Sequence, residues 1–182
     1  MQKRSHKLLA SALLRSHQGF CSRRYEWAFL FGSFQPDCNP FTYLKGSRRA
    51  KRLGGHNFSN SQPYIYERIR RLNQRSRWSM WQYYTLGKLT HYLADAFTYP
   101  HNENWPDTMM DHHRYETDLR RSLADHLDRQ ALRRRQRSQD LVEAIDQLHL
   151  QYMNSRSNLE QDIRYILEAT GLLMAGCLPN AA

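Results

Sequence analysis

With 182 residues, 40% of them hydrophobic and 24% charged, the chain is too rich in apolar residues to be disordered throughout and long enough for one domain with a sizeable core. Its 27 Lys and Arg against 17 Asp and Glu give a formal charge of +10, which favours anionic partners such as phosphate esters, nucleic acid or acidic lipid surfaces without choosing among them. Three cysteines, at positions 21, 38 and 177 and without C-x-x-C spacing, argue against a disulfide framework and a thiolate zinc site, and fit a reducing, cytoplasmic compartment.

The first element spans Ser5 to His17, where KLLASALL carries apolar residues at helical spacing and Ser5 is the expected N-cap. Its apolar run is short and interrupted by Arg15 and His17, a poor match to a cleaved secretory signal. Tyr25 to Phe31 reads as a short aromatic helix stopped by Gly32-Ser33, and the following QPDCNP places Asp37 on a turn between two prolines. The segment from Phe41 to Pro63 reads as a surface loop with a solvated basic run, Lys45 to Arg52, and Gly54-Gly55 just before His56. Helix resumes from Tyr64 to Arg75, with Tyr64, Ile65, Ile69 and Leu72 facing the core.

The stretch from Trp78 to Glu116 carries the chemistry. His91 and Asp95 lie four apart in a helical segment, so their side chains share one face at chelate spacing. Pro100 then breaks the helix and delivers His101, and a second pair at the same spacing, His112 and Glu116, follows. Either pair alone is most simply a surface ion pair. Together, and with His91 set in the apolar run HYLADAFTY, they point to imidazole and carboxylate donors for a divalent transition metal, of which zinc is the commonest. Gly87 in the same helix suits close packing.

Beyond Glu116 the charged stretch TDLRRSLADHLDRQALRRRQ reads as a helix with Arg133 to Arg137 at its exposed end. A further helix capped by Ser138 follows, and a last one runs from about Leu159 to Cys177. His126 and His149 have no partner at metal spacing and read as structural. No strand pattern, internal repeat or segment of the ~20 apolar residues needed for a membrane span is present. The expected architecture is an all-α, single-domain helical bundle over residues 1–182, with a metal cluster in its core, the motifs within residues 5–116 and packing helices in 117–182.

The ordered series His6, Gly-Ser-Phe-Gln-Pro-Asp37, His56-Asn-Phe, His91-x-x-x-Asp95, His101 and His112-x-x-x-Glu116 resembles the zinc-dependent phospholipase C family, whose distant relatives include the S1/P1-type nucleases. That resemblance implies Asp37, His56, His91 and Asp95 as ligands of a first zinc and His101, His112 and Glu116 as ligands of a second. It also implies His6 and Asp95 at a third zinc position. Secreted members complete that third position with an N-terminal Trp, whereas this chain starts Met-Gln-Lys-Arg-Ser. The implied activity is phospholipase C-like cleavage of phospholipids to a diacylglycerol and a phosphorylated headgroup, with Asp37 orienting or deprotonating the attacking water. Separately, the +10 charge and the lack of a spanning segment lead to the expectation of peripheral contact with anionic membranes through the basic surface. Two alternatives stay open: an S1/P1-like nuclease or nucleotidase, whose motif usually ends in Asp rather than Glu, and a metal-binding helical protein without turnover.

Overall fold

The computed structural model describes residues 1–38, 58–102, 109–132, 134–155 and 158–179. Seven α-helices run through them: α1 (Lys3–Ser16), α2 (Arg23–Phe34), α3 (Phe58–Asn73), α4 (Met80–Ala96), α5 (Met109–Arg129), α6 (Leu141–Met153) and α7 (Leu159–Cys177). Two 3₁₀ turns, Gln35–Cys38 and Tyr99–His101, follow α2 and α4. The described residues contain no strand, and no helix among them is long and apolar enough to cross a membrane.

Helix α4 is the axis of the bundle. Ser79 starts it with a capping box: its hydroxyl accepts from the Trp81 N–H while the Gln82 side chain accepts from the Ser79 N–H. Every residue from Leu89 to Ala96 is buried, because α1, α2, α3 and α7 all pack around this helix. Its tightest neighbour is α2. A Cβ on Gly87 would stand 2.1 Å from the Phe29 carbonyl oxygen, and one on Gly32 would stand 2.2 Å from that of Tyr84, so the two helices meet backbone to backbone at a glycine pair. Helix α3 contributes Ile65, Ile69 and Leu72 to the core as their spacing predicts.

Several local expectations give way to the tertiary structure. Gly32-Ser33 does not stop α2, which continues to Phe34 because the missing side chain at position 32 serves the contact with α4. Ser5 lies inside α1, fully buried, with Gln2 in the N-cap position. The first residues of α3, through Pro63, are helical where a loop was expected. Arg134 to Arg137 are exposed but lie beyond α5, which ends at Arg129. Asp140, not Ser138, caps α6 by accepting from the Glu143 N–H. The expected basic run Lys45 to Arg52 lies outside the described residues, as does His56.

Candidate metal centre

The glycine contact has a direct consequence for His91, one turn beyond Gly87. It brings the end of α2 so close to α4 that the His91 Nδ1 lies 3.0 Å from the Ser33 carbonyl oxygen. A carbonyl can only accept, so Nδ1 carries the proton, and Nε2 turns its lone pair toward Asp37 and Asp95. Nε2 stands 3.2 Å from Asp95 Oδ2 and 3.6 Å from Asp37 Oδ1. His6, from α1, stacks on His91 with ring centroids 3.9 Å apart and sets its own Nε2 3.2 Å from Asp95 Oδ1 and 4.0 Å from Asp37 Oδ2. His6, His91 and Asp95 are all at most 1% exposed, while Asp37 is 17% exposed, so the 3₁₀ turn forms the open edge of this group.

His101, His112 and Glu116 form a second group whose donor atoms lie within 4.8 Å of one another. The Thr98 hydroxyl donates its single proton to the Asp95 carbonyl, 2.7 Å away, and lies 2.8 Å from His101 Nδ1. It must therefore accept from Nδ1, which leaves the His101 Nε2 as a lone pair. His112 Nε2 is 3.2 Å from Glu116 Oε1 across one turn of α5. The neighbouring His113, one residue out of register, is exposed. All three residues of this group are partly exposed.

The Met1 α-ammonium lies between the groups, 2.6 Å from Asp95 Oδ1 and 3.1 Å from Glu116 Oε1. Burial opposes its charge, but Asp95 and Glu116 outweigh burial and raise its pKa. Burial would likewise raise Asp95 and Glu116. The ammonium instead holds Asp95 well below the carboxylate range, and the hydrogen bond between His112 and Glu116, together with the ammonium, brings Glu116 down to about 2. Burial, reinforced by the ammonium, lowers His101 to about 3, so its ring stays neutral. Asp37 goes the other way: burial pushes its pKa up to about 6.

These donors fit a metal on physical grounds. The His6 Nε2 and the Asp37 Oδ2 are buried without a hydrogen bond. The His91 Nε2 lone pair, 3.2 Å from an Asp95 carboxylate oxygen, repels it unless a cation stands between them. The donors are imidazole nitrogen and carboxylate oxygen, the set zinc takes where thiolate is absent. Six of the eight sequence-predicted residues thus fall into two groups, His6 beside His91 and Asp95 in the first, and Asp37 stands at the rim of that group.

The sequence reading missed the residues that hold these side chains. Asn102 donates to the Ala96 and Thr98 carbonyls at 3.1 and 2.8 Å and accepts from His149 Nε2 at 3.3 Å, which bolts the turn carrying His101 to α6. Asp162, fully buried in the first turn of α7, accepts from the Tyr99 N–H and the Tyr152 hydroxyl, each at 2.9 Å, and from the Tyr115 hydroxyl. A signal was available: Asp162 falls on the same helical stripe as the buried Tyr165, Ile166, Ala169 and Leu173, and an acid on an apolar face needs donors. His149 is buried against the Phe58 ring, centroids 3.7 Å apart, in keeping with its structural reading.

Compared with known proteins, residues 5–159 match a family model described as zinc dependent phospholipase C. No curated protein and no solved structure matches the chain.

Proposed function

The chain belongs to the zinc-dependent phospholipase C family, and from that premise we propose that it cleaves the phosphodiester of a phospholipid to a diacylglycerol and a phosphorylated headgroup. The observation that carries this reading is the convergence of two imidazole–carboxylate groups with Asp37 at their open edge. His6, His91, Asp95 and Asp37 would hold one zinc, and His101, His112 and Glu116 a second. Bound zinc supplies Lewis acidity, bringing the pKa of a coordinated water toward ~7 and offsetting charge on the phosphoryl oxygens.

The protein's own groups do the remaining work. Ser33 and Thr98 keep the His91 and His101 Nδ1 atoms protonated and their Nε2 atoms available. The Asp37 carboxylate, at the rim and with a buried oxygen lacking a hydrogen bond, takes the proton of the attacking water and returns it to the glycerol oxygen as the P–O bond to it breaks. The water oxygen ends on the phosphorylated headgroup, so atoms and charge balance. Glu116 and Asp95 stay ionised throughout.

The test pairs metal analysis with a side-by-side assay on phospholipid, an aryl phosphodiester and single-stranded DNA. Protein purified with zinc should hold at least two ions, lose thermal stability on chelation, and hydrolyse the phospholipid fastest. Preferential cleavage of DNA would move the activity to the nuclease branch, which the +10 charge suits. Bound zinc without hydrolysis of any of the three would leave a metal-binding protein.

A further inference from the structure

Four large apolar side chains stand in solvent on one side of the bundle: Trp27 (70% exposed), Phe31 (52%), Met80 (52%) and Trp81 (66%). They come from α2 and the start of α4, and ring contacts through Tyr84 link Phe31 to Trp81. Trp81 and Phe31 both lie against Tyr84, at 5.2 and 6.0 Å, and Phe31 meets Phe34 edge-on at 5.6 Å. Trp27 sits one turn before Phe31 on the same helix face. Lysines border this ridge: Lys3 and Lys7 stand 5.1 and 4.3 Å from the Phe34 ring, and Lys88 stands 5.9 Å from that of Tyr84. The ridge also leads to the metal centre, because α2 passes directly into the turn bearing Asp37 and the Tyr84 hydroxyl donates to Gln35 Oε1 at 2.9 Å.

We propose that this ridge docks the protein on the interfacial zone of a phospholipid bilayer, with the aromatic rings among the headgroups and the lysines against anionic lipid. The pairing of exposed tryptophans with a lysine border on a cationic chain is what decides for a bilayer: indole and phenyl rings partition to the headgroup level, and each lysine gains from the negative surface potential. Docking there turns the open, Asp37 edge of the first group toward lipid. Such docking would also resist salt better than a purely electrostatic contact, since only the lysine contribution is screened.

This inference rests on a phospholipid being the substrate, and its test reads binding apart from turnover. Vesicles of phosphatidylcholine with added phosphatidylserine should bind the protein, shift its tryptophan emission to the blue and allow quenching by brominated lipid. The double variant Trp27→Ala/Trp81→Ala should lose vesicle affinity by about tenfold or more while keeping wild-type hydrolysis of a soluble, short-chain phosphodiester. Equal vesicle binding by variant and wild type would overturn the proposal. So would a wild-type dimer that the double variant dissolves without change in vesicle binding, since the ridge would then cover a second copy. Vesicle binding with no hydrolysis would instead count against the phospholipase reading alone.

A separate observation concerns Asp162. Its three donors come from the turn two residues before His101, from α5 beside Glu116, and from α6. The geometry points to Asp162 as a positioning residue that fixes the turn and α5 relative to each other and so sets the second zinc's affinity. An acceptor-only group is needed there, and the N-terminus of α7 favours its charge. Chelator competition should show Asp162→Asn weakening one of two zinc ions by about 10–100-fold and sparing the other. Tyr115→Phe should weaken the same ion and Tyr152→Phe neither, a contrast that holds even where Asp162→Asn does not fold. Equal behaviour of the two tyrosine variants, or parallel loss of both ions, would overturn the assignment. A wild type with fewer than two zinc ions would sink the two-zinc reading instead.

Discussion

The two donor groups sit a few ångströms apart and are built on opposite plans. The first, His6, His91 and Asp95, belongs to α1 and α4, has almost no solvent exposure, and is aligned by the glycine contact between α2 and α4. The second, His101, His112 and Glu116, sits partly exposed on a 3₁₀ turn and the first two turns of α5, and its alignment comes from side-chain ties through Asn102 and Asp162. The difference teaches that one group is part of the hydrophobic core, where geometry and stability are inseparable. The other is mounted on the core and can change with less effect on folding.

Substitution of one carboxylate from each group is the strongest way to break this comparison. Asp95→Ala removes the buried charge that balances the Met1 ammonium and faces His6 and His91, so it should abolish turnover and destabilise the fold by about 3–5 kcal/mol. Glu116→Ala, at 16% exposure, should also end turnover but cost only about 1 kcal/mol. Urea unfolding and zinc analysis on both variants decide it, and equal destabilisation would dissolve the distinction.

Asp37→Asn isolates chemistry at the rim. Turnover should fall by ~10²-fold or more with a melting temperature near wild type, because the 3₁₀ turn keeps its backbone bonds. A folded variant as active as wild type would reduce Asp37 to a turn residue.

Gly87→Ala acts on the first group without touching a ligand. The added methyl meets backbone at 2.1 Å, which no side-chain rotation relieves, so α2 must shift and the Ser33–His91 bond must lengthen. A loss of roughly 1–3 kcal/mol is expected, with weaker zinc binding at the first group, both read by calorimetry.

The smallest expected effect belongs to the frame of the second group. His149→Ala removes a hydrogen bond to Asn102 and a stacked ring on Phe58, and should cost about 1–2 kcal/mol with little change in turnover. Burial lowers the His149 pKa to about 4, below the 6.5 of an unfolded histidine, so wild type loses stability as the pH falls toward 6 while the variant does not, and the cost should be largest at pH 8 and smaller at pH 6 in thermal melts.

Local chemistry carried much of this. Apolar spacing gave the helices, and for α7 the expected span, Leu159 to Cys177, is the observed one because Asn158 caps it and its buried stripe is continuous. The i,i+4 pairs His91/Asp95 and His112/Glu116 were legible for the same reason: helical periodicity puts them on one face whatever else the chain does. Their convergence with His6 and Asp37 was reached through the ordered motif series, since nothing in the spacing of α1 and α4 along the chain brings His6 onto the ring of His91. Tertiary structure alone decided how glycine and buried acid were used. Gly32 resembles a helix stop by propensity, and became a contact point because two backbones approach there more closely than any Cβ allows. Asp162 resembles an ordinary first-turn acid, and became the anchor of three donors from three other elements because burial left its carboxylate no water to bind. Propensity and period act over a few residues. Which orphaned donors and acceptors meet is fixed only when distant segments are packed together.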